Sequence, residues 1–409
     1  MPPNASPLLL PVRTLYLAGR FLVPLVLWFT VGRLLTLLLL TYGADLSLKW
    51  PYFSWAGISL LVMVSLGVTV AMVHSVRTGL SWAYPDEPLL DALGRAILPF
   101  MIIYMAWSFF TDDAKTWANA AFDRAQAQGL DFGTQALDAI NALSDNLPVA
   151  LVITAGFWAL RVICERWAGT RLPRTGSVLT AFFEINFTLF GLFSVGEIVG
   201  RCTGWFTSRR MWSGVAGLAG DAVPDRLAGV LPAVKDAVLG PLIWLTMAGV
   251  VLGFAMDREH PWLSRLDRTL AGRLVTQGAR DKWVPMVNGL RLIRLGGALT
   301  FAVFTVLIVL VDHLHDWGYR WTVEILGPHP YSYWEYARVP LGFSFDLLRQ
   351  VLRICLLAAT FDLVLLRARG DVSGRTAAGA GSSAPMTDPA PPTPAPAAPS
   401  PPPMRGSAR

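Results

Sequence analysis

Long apolar stretches recur along the chain, and they restrict its fold more than any other feature. The first runs from Phe21 to Tyr42 and contains Arg33 as its only charged residue. A helix needs about 20 mostly apolar residues to cross the hydrocarbon core of a bilayer. Eight segments of the chain meet or approach this length. We predict membrane-spanning helices near residues 21–42, 54–76, 96–111, 148–167, 177–199, 238–256, 297–315 and 346–366.

The composition favours a membrane protein and excludes most other classes. Charged residues make up 15% of the 409 positions and apolar residues 54%, whereas soluble proteins carry about 25% charged residues. The 16 Trp and 21 Phe residues exclude a collagen-like or wholly disordered chain. The predicted fold class is all-α, a polytopic transmembrane helix bundle of about eight spans. Such a chain belongs in the cell membrane as a multi-pass protein, with the lipid bilayer as its partner.

The distribution of Lys and Arg predicts the orientation of these spans. The connection 257–295 carries eight of these residues, and the connection 161–174 carries four. Cytoplasmic connections of membrane proteins are enriched in Lys and Arg. Both termini are therefore predicted to be cytoplasmic, and the connection 112–147, with six Asp residues, is predicted to lie outside.

The composition changes near residue 370. Residues 1–370 form the predicted transmembrane domain. Residues 371–409 are rich in Ala, Pro and Ser, as in the run Asp388-Pro389-Ala390-Pro391-Pro392. A segment of this kind cannot bury a core, so it is predicted to be a disordered cytoplasmic tail. A Pro-rich ligand for a protein partner is the alternative.

Three arginines interrupt the apolar segments at similar depth. Arg33 is 13 residues past Arg20, which corresponds to about 20 Å of helix; Arg349 and Arg353 reach the same layer from the other side. If they face inward, they form an electropositive pocket, with Glu197 nearby, for an anionic solute or a lipid headgroup. The structural alternative is that Arg349 and Arg353 extend to the headgroup layer and Arg33 pairs with Glu197.

A second set of charges lies nearer the cytoplasmic face. Arg161 and Glu184 are each about 10 Å from that face by helix rise and could pair. Asp362 lies slightly closer to the face and could join them. A structural ion pair and a proton or ion relay both fit this arrangement.

The connection 257–295 contains an amphipathic stretch. Leu residues recur at helical spacing, with three arginines outside the stripe. We predict a helix that lies on anionic cytoplasmic lipid. A protein partner at this connection or at the tail is the alternative. The net charge of +6 is attributed to orientation and lipid contact, and no nucleic acid is expected. The residues concerned are Leu263, Leu266, Leu270 and Leu274, with Arg265, Arg268 and Arg273.

The remaining motifs do not indicate a cofactor, a metal or a known catalytic centre. The sequence contains no nucleotide-binding, zinc-protease or serine-hydrolase motif. The run Asp312-His313-Leu314-His315-Asp316 ends the predicted seventh span, and its two histidines point to different sides of a helix, which is poor geometry for one metal. Three functions remain open. They are a transporter or permeation protein for a small anionic solute, a non-catalytic subunit or scaffold of a membrane complex, and a membrane enzyme acting on a lipid-linked substrate.

Overall fold

The fold is that of a helical bundle, seen here in a computed structural model. Among the described residues the backbone forms ten α-helices and no strand. The structure describes residues 6–50, 53–81, 89–106, 109–129, 147–171, 173–209, 240–251 and 297–381. The helices are α1 (Leu10–Arg20), α2 (Leu22–Lys49), α3 (Phe53–Val76), α4 (Leu89–Ala106), α5 (Phe109–Ala127), α6 (Leu147–Arg171), α7 (Pro173–Thr207), α8 (Gly240–Val251), α9 (Ala298–Leu326) and α10 (Tyr331–Gly381).

Several of these helices are long and apolar enough to cross a membrane. The prediction of an all-α helical membrane bundle is confirmed, whereas the count of eight spans and the cytoplasmic position of both termini stay predictions. The predicted third, sixth and eighth spans overlap α4 with α5, α8 and α10. Within the described residues five helices qualify: Leu22–Lys49, Phe53–Gly79, Leu147–Arg166, Val178–Thr207 and Ala298–Leu326.

The qualifying helices divide into an inner and an outer group. In α3, 61% of the apolar window is buried inside the protein, against 11% in α2 and 6% in α6. Helix α3 is therefore surrounded by protein, while α2 and α6 present apolar side chains outward. An outward apolar surface of this kind is what the hydrocarbon of a bilayer would cover.

The second half of α10 is the other central element. From Ile354 to Leu365 every side chain is buried, including the polar Thr360 and Asp362. A helix that is apolar around its whole circumference must be enclosed by other elements or by lipid. Here Phe361 packs against Gly249 of α8, where an added Cβ would lie 2.9 Å from the phenylalanine ring.

Part of the predicted outer connection 112–147 packs against the bundle. Residues from Phe109 to Ala127 form the amphipathic helix α5, which buries Trp117 completely. The indole lies where Gly43 of α2 and Gly57 of α3 leave room, because a Cβ at Gly57 would lie 2.0 Å from the ring. This part of the connection is therefore a helix that packs on α2 and α3. Residues 130–146 lie outside the described residues.

Helices α9 and α10 are longer than the predicted spans. The seventh span was expected to end near residue 315, but α9 continues to Leu326. Polar side chains do not stop a helix; α9 ends at Gly327, which has a φ of 75°, before Pro328 and Pro330.

The C-terminal part of the chain forms a compact unit of its own. Contacts divide the chain into Met1–Ala368 and Arg369–Arg409. Helix α10 continues to Gly381, so residues 371–381 are helical where a disordered tail was expected. Residues 382–409 and the basic connection 257–295 lie outside the described residues, and the predictions for them stay predictions.

Candidate functional site

A network of seven ionisable side chains joins α2, α9 and α10. All of them come from positions away from the ends of these helices, where a charge in a membrane span is costly and therefore indicates either function or a specific structural pair. We call this set the charge network. Its members are Arg33, Asp312, His315, Asp316, Asp346, Arg349 and Arg353.

Helical spacing explains why these residues meet. Residues three, four or seven positions apart lie on one face of an α-helix. Asp312, His315 and Asp316 therefore form a polar stripe on α9. Asp346, Arg349 and Arg353 form another on α10, and the contacts between the stripes show that they face each other.

Asp346 is the centre of the network. Its Oδ2 accepts a hydrogen bond from Arg33 Nη2 at 3.1 Å. Its Oδ1 lies 3.1 Å from His315 Nε2 and 3.8 Å from Arg349 Nη2. The Arg33 side chain is 49% exposed and that of Arg349 is 36% exposed. One carboxylate is thus shared by two arginines that remain accessible.

His315 connects two carboxylates. Its Nδ1 lies 2.8 Å from Asp316 Oδ1, and its Nε2 contacts Asp346 as described. The edge of its ring meets Phe345, with 6.4 Å between the centroids. The imidazole is therefore held between two acceptors and is mostly shielded by protein.

Arg353 is the most enclosed arginine of the network. Its Nη2 donates to both carboxylate oxygens of Asp312, at 2.9 and 3.2 Å. Its guanidinium lies 5.3 Å from the centroid of the Trp244 ring on α8, a distance at which a cation and an aromatic face attract each other. Of the three predicted pocket arginines, Arg353 has the most fixed surroundings.

The position of Glu197 differs from the expectation. It was expected beside Arg33, but its Oε1 accepts a hydrogen bond at 2.9 Å from Arg201 Nε, one turn further along α7. Arg33 binds Asp346 instead. Helix rise places residues at a depth, but each step also rotates the side chain by about 100°, so equal depth does not bring two residues together.

The second predicted set of charged residues is found at two separate places in the structure. Arg161 Nε lies 3.6 Å from Glu184 Oε2, which joins α6 to α7 through a pair that is largely buried. Glu165, one turn from Arg161, lies 4.0 Å away and is exposed.

Asp362, which was expected to join this pair, lies instead against Ser81 and Arg13. Its two carboxylate oxygens accept hydrogen bonds from the backbone N–H of Ser81 at 3.0 Å and from the Ser81 hydroxyl at 2.8 Å. Arg13 Nη1 lies 3.8 Å away. Asp362 therefore links α10 to α1 and to the turn after α3.

Sequence reasoning missed His315 and Asp316 as members of the site. Both lie in the run that was expected to end the seventh span. The signal was present in the spacing, since residues 312, 315 and 316 share a face. It could be used only once the helix was known to continue to Leu326.

Another partly buried carboxylate lies in the predicted outer connection. Tyr104 donates a hydrogen bond of 2.7 Å to Asp113 Oδ2. Burial raises the pKa of Asp113, the neighbouring charge of Asp112 raises it further, and the bond from Tyr104 lowers it. An enzyme acting on lipid-linked substrates would need two convergent carboxylates in residues 112–147, and residues 130–146 lie outside the described residues.

Comparison with known proteins adds no relative. No family model matches this chain, and no curated protein or solved structure shows significant similarity to it. The argument about function therefore rests on the geometry of the charge network and on the apolar helices that surround it.

Proposed function

We propose that this integral membrane protein is a transporter for a small anionic solute, which binds between Arg33 and Arg349. The observation that carries the proposal is the sharing of Asp346. Arg33 from α2 and Arg349 from α10 both lie against this one carboxylate, and both remain partly exposed. A site with two cations and one intrinsic anion can bind a solute anion in place of its own carboxylate.

Guanidinium chemistry supports this exchange. Arginine presents paired N–H donors in a plane, which suits the oxygen atoms of a carboxylate, nitrate or phosphate group. Asp346 meets Arg33 through one hydrogen bond, which Nη2 donates to Oδ2 at 3.1 Å. A solute that replaces the carboxylate would not leave a cation unpaired, so the cost of burying charge would remain low at each stage.

Arg353 has a different part in this proposal. Asp312 holds it by two hydrogen bonds and Trp244 lies beside it. It adds positive charge to the network, and its side chain is less exposed than those of Arg33 and Arg349. The predicted pocket of three arginines thus becomes, in the proposal, a pair of exchangeable arginines beside a fixed one.

Counter-flow into proteoliposomes tests the proposal. Purified protein is reconstituted in vesicles loaded with an unlabelled anion, and uptake of the labelled anion is followed. We expect Arg33→Gln with Arg349→Gln to reduce uptake about tenfold or more, equivalent to about 1.4 kcal/mol of lost binding. The matched control is Arg201→Gln, an exposed arginine on α7. Equal uptake by the double variant and the wild type would contradict the proposal.

A scaffold subunit is the second candidate, and one observation favours it. Each of the seven side chains predicted from the sequence lies 3.8 Å or less from an opposite charge. Paired charges of this kind can simply fix the order of helices. In that case no anion would be taken up, and the protein would co-purify with a membrane partner. Loss of that partner on deletion of residues 257–295 would identify the basic connection as the contact.

A further inference from the structure

We infer that the solute is an amphiphile, a carboxylate carried by a single hydrocarbon chain, and that the chain lies on apolar side chains beside Arg33. This inference rests on the proposed function, because it names the chemical class of the anion that binds between Arg33 and Arg349. It follows from three observations: the side of α2 on which Arg33 lies, the aromatic rings next to it, and the way in which the two arginines meet Asp346.

Arg33 lies on the outward side of α2. The inner side of this helix is buried, where Gly32 packs against α3, whereas the Arg33 side chain is 49% exposed. The leucines next to it on the outward side are Leu34, Leu37 and Leu38, which are 51 to 58% exposed. In a membrane bundle, hydrocarbon covers such a surface. Approach from this side is costly for a hydrophilic ion and favourable for a hydrocarbon chain.

Apolar side chains also share the helix face of Arg33. Phe29 is four residues before Arg33 and Leu37 is four residues after it, so the three side chains lie on one face of α2. The partly buried ring of Phe29 packs against Phe343 of α10, with 5.3 Å between the centroids. Phe343 is three residues before Asp346 and shares a face of α10 with it. The contact between Arg33 and Asp346 therefore adjoins an apolar surface to which both helices contribute.

The two arginines meet different oxygen atoms of one carboxylate. Arg33 Nη2 lies 3.1 Å from Oδ2 of Asp346, and Arg349 Nη2 lies 3.8 Å from its Oδ1. A ligand carboxylate has two oxygen atoms at the same separation, so it can replace Asp346 and give one oxygen to each arginine. A halide ion offers one atom in place of two. The charged group that fits this exchange is therefore a carboxylate.

A carboxylate on a hydrocarbon chain uses both parts of the site. The arginines bind its charged group, and the side chains of Phe29 and Leu37 contact its chain. Each CH₂ group that leaves water on binding raises the affinity by about two- to fourfold. Chain length is therefore the property of the solute that the site should select, and short acids with the same charged group provide the comparison.

Binding of carboxylates of different chain length tests the inference. Full-length protein in detergent is immobilised on scintillation beads with labelled octanoate. Unlabelled acetate, butanoate, hexanoate, octanoate and nitrate then compete at neutral pH, where carboxylic acids are ionised. Protein-free micelles report how much of each acid enters the detergent, so the affinities refer to the free concentration. We expect octanoate to bind at least about tenfold more tightly than acetate, with an increase at each chain length.

Variants of the apolar surface separate the chain from the charged group. Phe29→Ala and Leu37→Ala should each weaken octanoate binding by about fivefold and leave acetate binding unchanged, because only the chain contacts these side chains. The matched control is Phe157→Ala, since Phe157 of α6 packs against the Phe183 ring of α7, away from the charge network. This control should leave both affinities unchanged. The double variant Arg33→Gln with Arg349→Gln should lose the binding of both acids.

The outcomes distinguish the inference from the proposed function. Acetate or nitrate that binds the wild type as tightly as octanoate, and is lost in the double arginine variant, would overturn the amphiphile and leave a hydrophilic anion as the solute. Unchanged octanoate affinity in folded Phe29→Ala and Leu37→Ala would overturn the role of this surface.

The proposed function fails together with the inference in three cases. The first is a folded wild type that binds none of these anions. The second is octanoate binding that is equal in the wild type and in the double arginine variant. The third is a co-purified anionic phospholipid that octanoate does not displace and that only the double variant lacks, because the arginines would then hold a structural lipid.

Discussion

Two aspartates on α10 occupy very different surroundings. Asp346 and Asp362 are separated by about 24 Å of helix, at 1.5 Å per residue. Asp346 is shared among Arg33, Arg349 and His315, and its side chain is 30% exposed. Asp362 is 8% exposed and is held by the backbone N–H and hydroxyl of Ser81, with Arg13 beside it.

The difference lies in what kind of partner each carboxylate has. A backbone N–H cannot move without moving the chain, so Asp362 is a fixed connection between helices. Long arginine side chains can change rotamer and exchange one anion for another at little cost. The same residue type on one helix therefore serves structure at one position and, in our proposal, solute exchange at the other.

The largest expected effect is on stability and distinguishes the two aspartates directly. Asp362→Ala removes a buried acceptor from the two Ser81 donors and from Arg13, and should lower the free energy of unfolding by about 3 kcal/mol, because hydrogen bonds to a charged group are among the stronger ones. Asp346→Ala should cost about 1 kcal/mol or less, because its two arginine partners are accessible. Thermal unfolding of purified protein in detergent compares them. Equal losses would contradict the distinction between fixed and exchangeable partners.

The Arg161–Glu184 pair should behave as a fixed connection of the Asp362 kind. Glu184→Ala should lower the free energy of unfolding by about 2 kcal/mol, since it leaves Arg161 largely buried without its main partner. A double-mutant cycle with Arg161→Ala should yield a coupling energy of about 1 kcal/mol. The control is Glu165→Ala, the exposed second neighbour of Arg161. A coupling energy near zero would place this pair among the exchangeable contacts.

A change of anion affinity would show that Asp346 competes with the solute for Arg33 and Arg349. Asp346→Asn removes the negative charge that occupies Arg33 and Arg349 while preserving the shape of the side chain. We expect anion affinity to rise about tenfold, equivalent to about 1.4 kcal/mol. Fluorescence titration with nitrate measures this affinity. Unchanged affinity in Asp346→Asn would show that the carboxylate does not compete with the solute.

The smallest effect is expected at Glu197, which belongs neither to the fixed nor to the exchangeable contacts. Its partner Arg201 lies one turn away on the same exposed helix face. Glu197→Gln should change the free energy of unfolding by less than about 0.5 kcal/mol and leave anion affinity unchanged. A larger loss, measured by the same thermal unfolding, would indicate that this pair contacts another element.

The sequence predicted the presence of the helices better than the positions of their ends. The apolar segments near 21–42, 54–76 and 148–167 correspond closely to α2, α3 and the candidate span Leu147–Arg166. Helices α7 and α9 continue through polar residues beyond the predicted span ends near 199 and 315, which were placed where the apolar residues stop. A helix in contact with other helices does not need an apolar sequence to continue.

The sequence predicted several residues of the candidate site but not which of them form pairs. Arg33, Arg349 and Arg353 do meet in one network. Their partners are Asp346 and Asp312 and not the expected Glu197, and His315 was not included in the predicted site. The partner of a charge depends on helix rotation and on neighbours distant in the chain, neither of which the spacing of one segment reports.

Hydrophobicity adds up residue by residue, so the order of the amino acids is enough to establish that this chain forms apolar helices suited to a bilayer. It is also enough to show which of those helices carry charges. Which charges meet is a property of packing, since each helix can rotate about its axis without changing its own hydropathy. Contacts between α2, α9 and α10 decide that Asp346 is shared and that His315 lies between two carboxylates, while contacts of α10 with Ser81 and Arg13 make Asp362 a fixed connection.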